Sequence, residues 1–308
     1  MTQPAAPPAG WRAWVAGARP RTLPAAIVPV LVGTAVAAGL GEDAANWLKG
    51  IIVWRALAAG VVALFIQIGT NYANDYSDGV RGTDNETRVG PIRLVGSGLK
   101  SPSSVKKAAV ASFGVAALAG LALAAATTWW LLLVGAVCFA AGWLYTGGPK
   151  PYGYYGFGEL FVFVFFGLVA TVGSTYVQLG WIPWLAWACA VPVGALATAL
   201  LVVNNLRDIP TDSVAGKKTL AVRIGDQRTR VLYVVLMVVP YLAIPIIAGL
   251  GRRWTAVIAF GAIFLAHKPV LGVLEGARGP ALIPVLVGTA RVQLVYGLLL
   301  SVGLFVSG

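Results

Sequence analysis

Asn74-Asp75-Tyr76-Ser77-Asp78-Gly79-Val80-Arg81-Gly82-Thr83-Asp84 follows directly on residues 51–73, an apolar run whose one charged residue is Arg55. A run of that length matches the roughly 20 residues that a helix needs to cross a bilayer. It ends in a cluster of acids and amides. The same arrangement returns later as Asn204-Asn205-Leu206-Arg207-Asp208-Ile209-Pro210-Thr211-Asp212, followed by Ala215-Gly216-Lys217-Lys218-Thr219, again at the end of an apolar run. In both, an asparagine and an aspartate lie four positions apart, which places them on one face of a helical turn. Asn74 to Asn204 and Asp78 to Asp208 share an offset of 130 residues.

The rest of the chain agrees with a membrane setting. It has 308 residues, 58% hydrophobic and only 11% charged, with 38 glycines and 11 tryptophans, and a mean hydropathy of +0.80. Soluble domains carry about a quarter charged residues, so a soluble globule of this composition would expose large apolar patches. Disorder is excluded by the abundance of apolar side chains. The two cysteines, Cys138 and Cys189, lie inside separate apolar runs, which excludes a disulfide scaffold. They read as small buried apolar residues. Hydropathy predicts nine spans, at 22–40, 51–73, 105–126, 129–146, 158–179, 181–203, 231–250, 254–271 and 286–306. The expected fold class is therefore an all-α polytopic bundle. Residues 1–16 are expected to form a disordered tail, and 17–308 a single transmembrane domain. The Pro/Ala-rich start lacks the pattern of a signal peptide.

The net charge of +12 could point to nucleic acid, but its distribution explains it otherwise. With the N-terminus cytoplasmic, 19 lysines and arginines fall on the inner side and four (Lys49, Arg55, Arg252, Arg253) on the outer. This positive-inside bias orients the chain, leaves the C-terminus external and puts both acidic motifs at the cytoplasmic face of a cell membrane. The lipid bilayer, and no nucleic acid, is the expected large partner.

Of the 11 acids, Asp75, Asp78, Asp84, Glu86, Asp208 and Asp212 crowd into the two motif loops, read as residues 74–104 and 204–230. One such motif alone reads as a solvated loop balancing nearby bases; two matching ones at helix ends reverse that reading. Carboxylate and amide oxygens suit Mg2+, which is commonly held by one or two carboxylates plus substrate phosphate oxygens. Two facing clusters could hold two or more Mg2+ ions around a diphosphate, with Arg81, Arg88, Arg93, Arg207, Lys217 and Lys218 completing the neutralisation.

These residues resemble a known family. NDYSDGVRGTD with RVGPIRLVGSGL, and NNLRDIPTDSVAGKKTLAVRIG, are similar to the two aspartate-rich motifs of the UbiA superfamily of intramembrane prenyltransferases, closest to its naphthoate (MenA-type) branch. Arg19-Pro20-Arg21-Thr22-Leu23-Pro24-Ala25 and the stretch Tyr145–Glu159 support the match, which runs from about 17 to 302. One departure is that the four-residue step after Asp78 lands on Gly82, the next acid being Asp84. The resemblance implies a nine-helix bundle around a central cavity, in which a polyprenyl diphosphate meets an aromatic acceptor, 1,4-dihydroxy-2-naphthoate. Prenyl transfer with loss of CO2 and diphosphate would give demethylmenaquinone. It implies Mg2+ held by Asn74, Asp78, Asp208 and Asp212, with Asp84 and Asn204 as further members of the shell. Arg21, Lys150 and Lys217, beside Arg207, are the candidates for charge assistance, and Asp75 or Asp84 for deprotonating a ring hydroxyl.

Other features divide between function and ordinary packing. Tyr145, Tyr152, Tyr154 and Tyr155 could sandwich the acceptor ring or snorkel at the interface. Glu159 is an intramembrane acid and so a functional suspect, with Lys150 as its expected partner. Phe161, Phe163, Phe165 and Phe166 could line a tunnel for the prenyl tail but read mostly as lipid-facing or packing residues, and Trp129, Trp130, Trp181 and Trp184 read as external interface anchors. His267, the sole histidine, has no companion for a zinc or haem site. Three alternatives remain open. One is a UbiA relative using hydroxybenzoate, homogentisate or a sugar phosphate, and another is a phosphatidyl-type transferase, whose DGxxAR start is absent here. The third, from another class, is a membrane transporter.

Overall fold

The computed structural model describes residues 10–42, 45–82 and 93–308. Asp84, Glu86 and Arg88 lie outside the described residues, and so do residues 1–9 of the expected tail. Among the described residues the structure is helical throughout, without strands. A first helix, α1 (Trp11–Ala18), begins inside the stretch expected to be a tail. It is held because Ala13 is buried and the Trp14 ring packs edge-on against Tyr72, whose hydroxyl donates to the Trp14 carbonyl. Arg19 in the left-handed region and the prolines at positions 20 and 24 then turn the chain by 54° into α2 (Pro24–Ala37).

Seven further helical segments are long and apolar enough to cross a membrane: α3 (Val53–Val80), α4 (Pro102–Ala126), α6 (Gly158–Leu179), α7 (Trp184–Val214), α8 (Leu220–Gly249), α9 (Trp254–Leu274) and α10 (Gly279–Val306). The bent pair α1–α2 makes eight if it counts as one span, and α5 (Trp130–Leu144) is a shorter apolar helix. The expected number of nine spans is thus not reached on length and hydropathy alone. Helix α7 is the axis of the bundle: 78% of its apolar window is buried, whereas the other spans leave most of their surface outward. Its small residues let neighbours approach closely. Gly194 of α7 meets Gly167 of α6, where an added Cβ on Gly167 would stand 2.5 Å from the Gly194 Cα. That contact lies in a π-helical stretch, Phe163–Val169, inside α6.

Polar staples sit at both ends. At one end the Arg55 guanidinium donates to the carbonyls of Val177 and Ala126, joining the start of α3 to the ends of α6 and α4, where helix C-termini offer unpaired carbonyls. At the other end Gln67 and Asn71 of α3 donate to the Thr22 hydroxyl, and Asn71 also to the Ala18 carbonyl, fixing the α1–α2 bend.

The Asn/Asp pairs of both motifs are helical, as their four-residue spacing implies, and residues 74–80 and 204–214 belong to helices, which corrects the loop bounds expected at 74 and 204. Asn74 and Asp78 occupy the last turns of α3, and Asn204, Asp208 and Asp212 the last turns of α7. The helical ladder does not stop where hydropathy falls. It carries the polar residues out of the apolar run on the same regular spacing.

Candidate active site

The ends of α3 and α7 converge on one cavity of about 930 Å³. Its polar end is formed by Asn74 and Asp78 from α3, Asn204, Asn205, Arg207, Asp208 and Asp212 from α7, Arg19 and Arg21 from the α1–α2 bend, and Arg93 and Lys217. Its remaining length runs between α2–α6 and is lined by Ala, Val, Leu and Phe side chains as far as Leu123, Leu131 and Val177.

Asp78 is the focus of the polar end and is 2% exposed. The Tyr154 hydroxyl donates to its Oδ1 at 2.6 Å, while Lys217 Nζ and Arg93 Nη2 approach Oδ2 at 3.2 and 3.4 Å. Tyr154 is itself flanked by cations, with Lys217 at 4.7 Å and Arg81 at 5.7 Å from its ring centre. On α7, Arg207 bridges Asp208 through both carboxylate oxygens, at 2.7 and 2.8 Å, and donates to Asn204 Oδ1 at 2.8 Å. Asn74 Oδ1 accepts from the Thr146 hydroxyl. The Asp212 carbonyl accepts the Lys217 amide at 2.8 Å, which turns the 215–219 connection back over the cavity. Buried charges of both signs are thus paired, as a low-dielectric setting requires.

The structure brings together Asn74, Asp78, Asn204, Arg207, Asp208, Asp212, Arg21, Lys217 and Tyr145, all lining the cavity. Two candidates fall elsewhere. Asp75 is 0% exposed and off the cavity; its two oxygens accept the amides of Leu94 and Val95 at 2.8 and 3.0 Å. It secures the returning chain against α3 and thereby delivers Arg93 to Asp78, a role that leaves it no access to a substrate. Lys150 is exposed and outside the cavity lining, and it is not the partner of Glu159, which instead accepts the Asn205 side-chain amide at 2.8 Å. Asp84 lies outside the described residues. Arg81, grouped with the neutralising bases, donates to the carbonyls of Thr146 and Gly148.

The tyrosines separate. Tyr152 stacks on Phe161 with ring centres 4.0 Å apart, donates to the Ala141 carbonyl and lines the cavity, and burial pushes its phenol well above the ordinary tyrosine range. Tyr155 is exposed. Phe161, Phe165 and Phe166 also line the cavity, which favours the tunnel alternative over their reading as lipid-facing or packing residues, while Phe163 does pack, against Gly194. Cys138 is a half-buried part of the cavity wall and Cys189 is fully buried. Sequence reasoning passed over Gln67, Asn71, Thr146 and Asn205. Gln67 and Asn71 had a legible signal: with Asn74 and Asp78 they form one polar stripe at steps of four, three and four along an otherwise apolar helix.

Among the described residues no three acids, histidines or cysteines come together as a ready-made metal cage. The donors that Asn74, Asp78, Asn204, Asp208 and Asp212 bring to the cavity are all hard oxygens, which suits a cation such as Mg2+ that takes only a few protein ligands and fills its shell from phosphate oxygens and water. The residues present therefore fit such an ion in the company of an anionic substrate.

Comparison with known proteins agrees with this geometry. Residues 26–275 match the model of the UbiA prenyltransferase family. A 1,4-dihydroxy-2-naphthoate octaprenyltransferase of Mycobacterium tuberculosis is 52% identical over 290 residues, spanning 94% of this chain and 96% of the relative. Among solved structures, a digeranylgeranylglyceryl phosphate synthase superposes with a TM-score of 0.60 at 15% identity, over 96% of this chain and 98% of that one. A UbiA homolog from Archaeoglobus fulgidus bound to DMAPP and Mg2+ superposes with a TM-score of 0.56 at 17% identity, over 94% and 99%. At such identities the two structures speak for the fold.

Proposed function

The chain belongs to the UbiA prenyltransferase family, and on that premise we propose that it transfers a polyprenyl group from polyprenyl diphosphate to 1,4-dihydroxy-2-naphthoate. The allylic C–O bond breaks and diphosphate leaves; a C–C bond forms to the naphthalene ring; the ring carboxylate departs as CO2, leaving demethylmenaquinone in its quinol form. The observation that carries this reading is one cavity with oxygen donors and bases at one end and an apolar, phenylalanine-lined wall along the rest. A diphosphate with a long hydrocarbon tail has that same division.

Asn74, Asp78, Asn204, Asp208 and Asp212 would hold Mg2+, in line with the Mg2+ of the Archaeoglobus homolog. When bound, the cation supplies Lewis-acid stabilisation of the leaving diphosphate. Lys217, Arg93 and Arg21 provide fixed positive charge at the same end, where a preorganised donor in a water-poor site is worth more than in solution. The Phe161 and Tyr152 pair and the apolar wall exclude water from the allylic centre. The positive-inside count supports a cytoplasmic N-terminus and a cytoplasmic polar end in a cell membrane. Counting the bent pair α1–α2 as one span and the short α5 as another would bring the seven long apolar helices among the described residues to nine. The names of the relatives make an eight-isoprene donor the first to test.

The test is incubation of the purified protein with Mg2+, 1,4-dihydroxy-2-naphthoate and polyprenyl diphosphates of graded length, followed by mass spectrometry and diphosphate release. The expected result is a prenylated, decarboxylated naphthalene product that is lost with EDTA and in Asp78→Ala and Asp208→Ala. Prenylation of hydroxybenzoate but not of the naphthoate would move the chain to another branch, and solute uptake by proteoliposomes without bond cleavage would make it a transporter.

A further inference from the structure

Glu159 opens the first turn of α6 and is 5% exposed, yet it does not itself line the cavity. Its Oε1 accepts the Asn205 amide nitrogen at 2.8 Å, and its Oε2 is buried with no hydrogen-bond partner. A buried acid with an unpaired oxygen is costly in an apolar setting, and plain packing would be served as well by a neutral side chain. What the acid adds is a fixed direction. The NH2 of Asn205 faces Glu159 Oε1, and an ionised carboxylate, which only accepts hydrogen bonds, holds the amide in that sense. Asn205 does line the cavity, one helical turn before Asp208. With its nitrogen committed to Glu159, the group it turns to the cavity is the carbonyl oxygen, Oδ1, a pure acceptor. Tyr145 stands on the same wall, its ring and hydroxyl near Gly158 at the start of α6.

We infer that the Glu159–Asn205 pair orients the aromatic acceptor: Asn205 Oδ1 receives a ring hydroxyl of the substrate, and Glu159 is the positioning residue that holds the amide in the accepting sense. The inference rests on the proposed prenylation of a hydroxylated aromatic ring and deepens it by naming the element that reads the hydroxyl. A hydroxyl bound this way directs the neighbouring ring carbon toward the allylic end of the donor. A ring lacking that hydroxyl would leave Oδ1 unpaired in the cavity.

The experiment is steady-state kinetics of the purified full chain, with acceptor and donor varied separately and the thermal unfolding temperature measured alongside. Glu159→Gln frees the amide to present either end, and the expected result is a rise of about tenfold in the KM for the naphthoate, the size of one lost buried hydrogen bond. The KM for polyprenyl diphosphate and the unfolding temperature should stay unchanged. Asn205→Ala should show the same selective rise, and the double variant no more than Asn205→Ala alone, because Glu159 acts through Asn205. The paired exchange Glu159→Gln with Asn205→Asp reverses donor and acceptor across the contact while leaving an oxygen at the cavity, and should restore the acceptor KM toward wild type. Equal changes in both KM values, a fall in unfolding temperature without a change in acceptor KM, or additive single variants would overturn the inference. Wild-type protein that prenylates no aromatic acceptor would instead overturn the proposed function beneath it.

Discussion

Replacing Asp75 by asparagine separates two roles that adjacent acids in one motif could play. In the structure both Asp75 oxygens accept backbone amides, from Leu94 at 2.8 Å and Val95 at 3.0 Å, in a site with no solvent exposure. Asparagine keeps the shape but offers one accepting oxygen, so one amide loses its partner and faces an NH2 instead. A lost hydrogen bond to a charged group costs about 1.5–3 kcal/mol, and a buried unsatisfied donor about 1–3 kcal/mol more, which together come to about 2.5–6 kcal/mol. At about 2 °C per kcal/mol, that corresponds to a fall of about 5–12 °C in unfolding temperature for a chain of this length. The 11 tryptophans provide the fluorescence signal for a thermal melt in detergent, and the prenylation rate is read well below the transition. There, kcat should remain within about tenfold of wild type, since Asp75 reaches the site only by placing Arg93 beside Asp78. A general base, by contrast, is worth about 10²- to 10⁴-fold in rate. An unchanged melt with a hundredfold loss of kcat would refute the structural role and return Asp75 to the chemistry.

Lys217→Ala removes a cation that sits 3.2 Å from Asp78 and should raise the KM for polyprenyl diphosphate about tenfold or more, whereas Lys150→Ala, at an exposed position outside the cavity, should leave both KM values unchanged; substrate titrations of the two variants decide it. Gly167→Ala places a methyl group 2.5 Å from the Gly194 Cα and should lower stability by about 1–3 kcal/mol through overpacking, read as a lower unfolding temperature. Because the Tyr152 phenol is raised by burial, the folded chain keeps that proton when the unfolded chain loses it near pH 10, so stability falls as pH rises above that point. Tyr152→Phe should make the alkaline fall in unfolding temperature shallower.

Hydropathy was enough to place the apolar core of most helices, because the bilayer imposes one length and one chemistry on all of them. It was silent on where helices end. Residues 74–80 and 204–214 look like loop in composition, yet the backbone ladder runs through both to Val80 and Val214. The matching offset of the motifs did indicate that Asn74, Asp78, Asn204 and Asp208 share a site, since helical spacing is written in the sequence. Asp75 and Asp78, three residues apart, diverge because one faces the returning turn at Leu94 and the other the cavity, and only the tertiary path of that turn distinguishes them. Lys150 and Lys217 both adjoin recognisable motifs, but proximity along the chain does not say which lysine folds back over the acids. The pairing of Glu159 with Asn205, 46 residues apart, had no local signal at all.

The π-helical stretch Phe163–Val169 makes α6 tolerant of a change in length in an unusual way. A π turn accommodates one residue more than an α turn, so deleting a single residue there would let the segment relax to an ordinary helix instead of opening a gap. Everything beyond it would keep its angular position, because the wide turn alone gives up the residue. Gly173 and Ser174 would still line the cavity, whereas the same deletion in an ordinary α-helical turn would rotate all later residues by about 100° around the helix axis. The wide turn confines a one-residue loss to itself, and the wall offered to a hydrocarbon tail keeps its face.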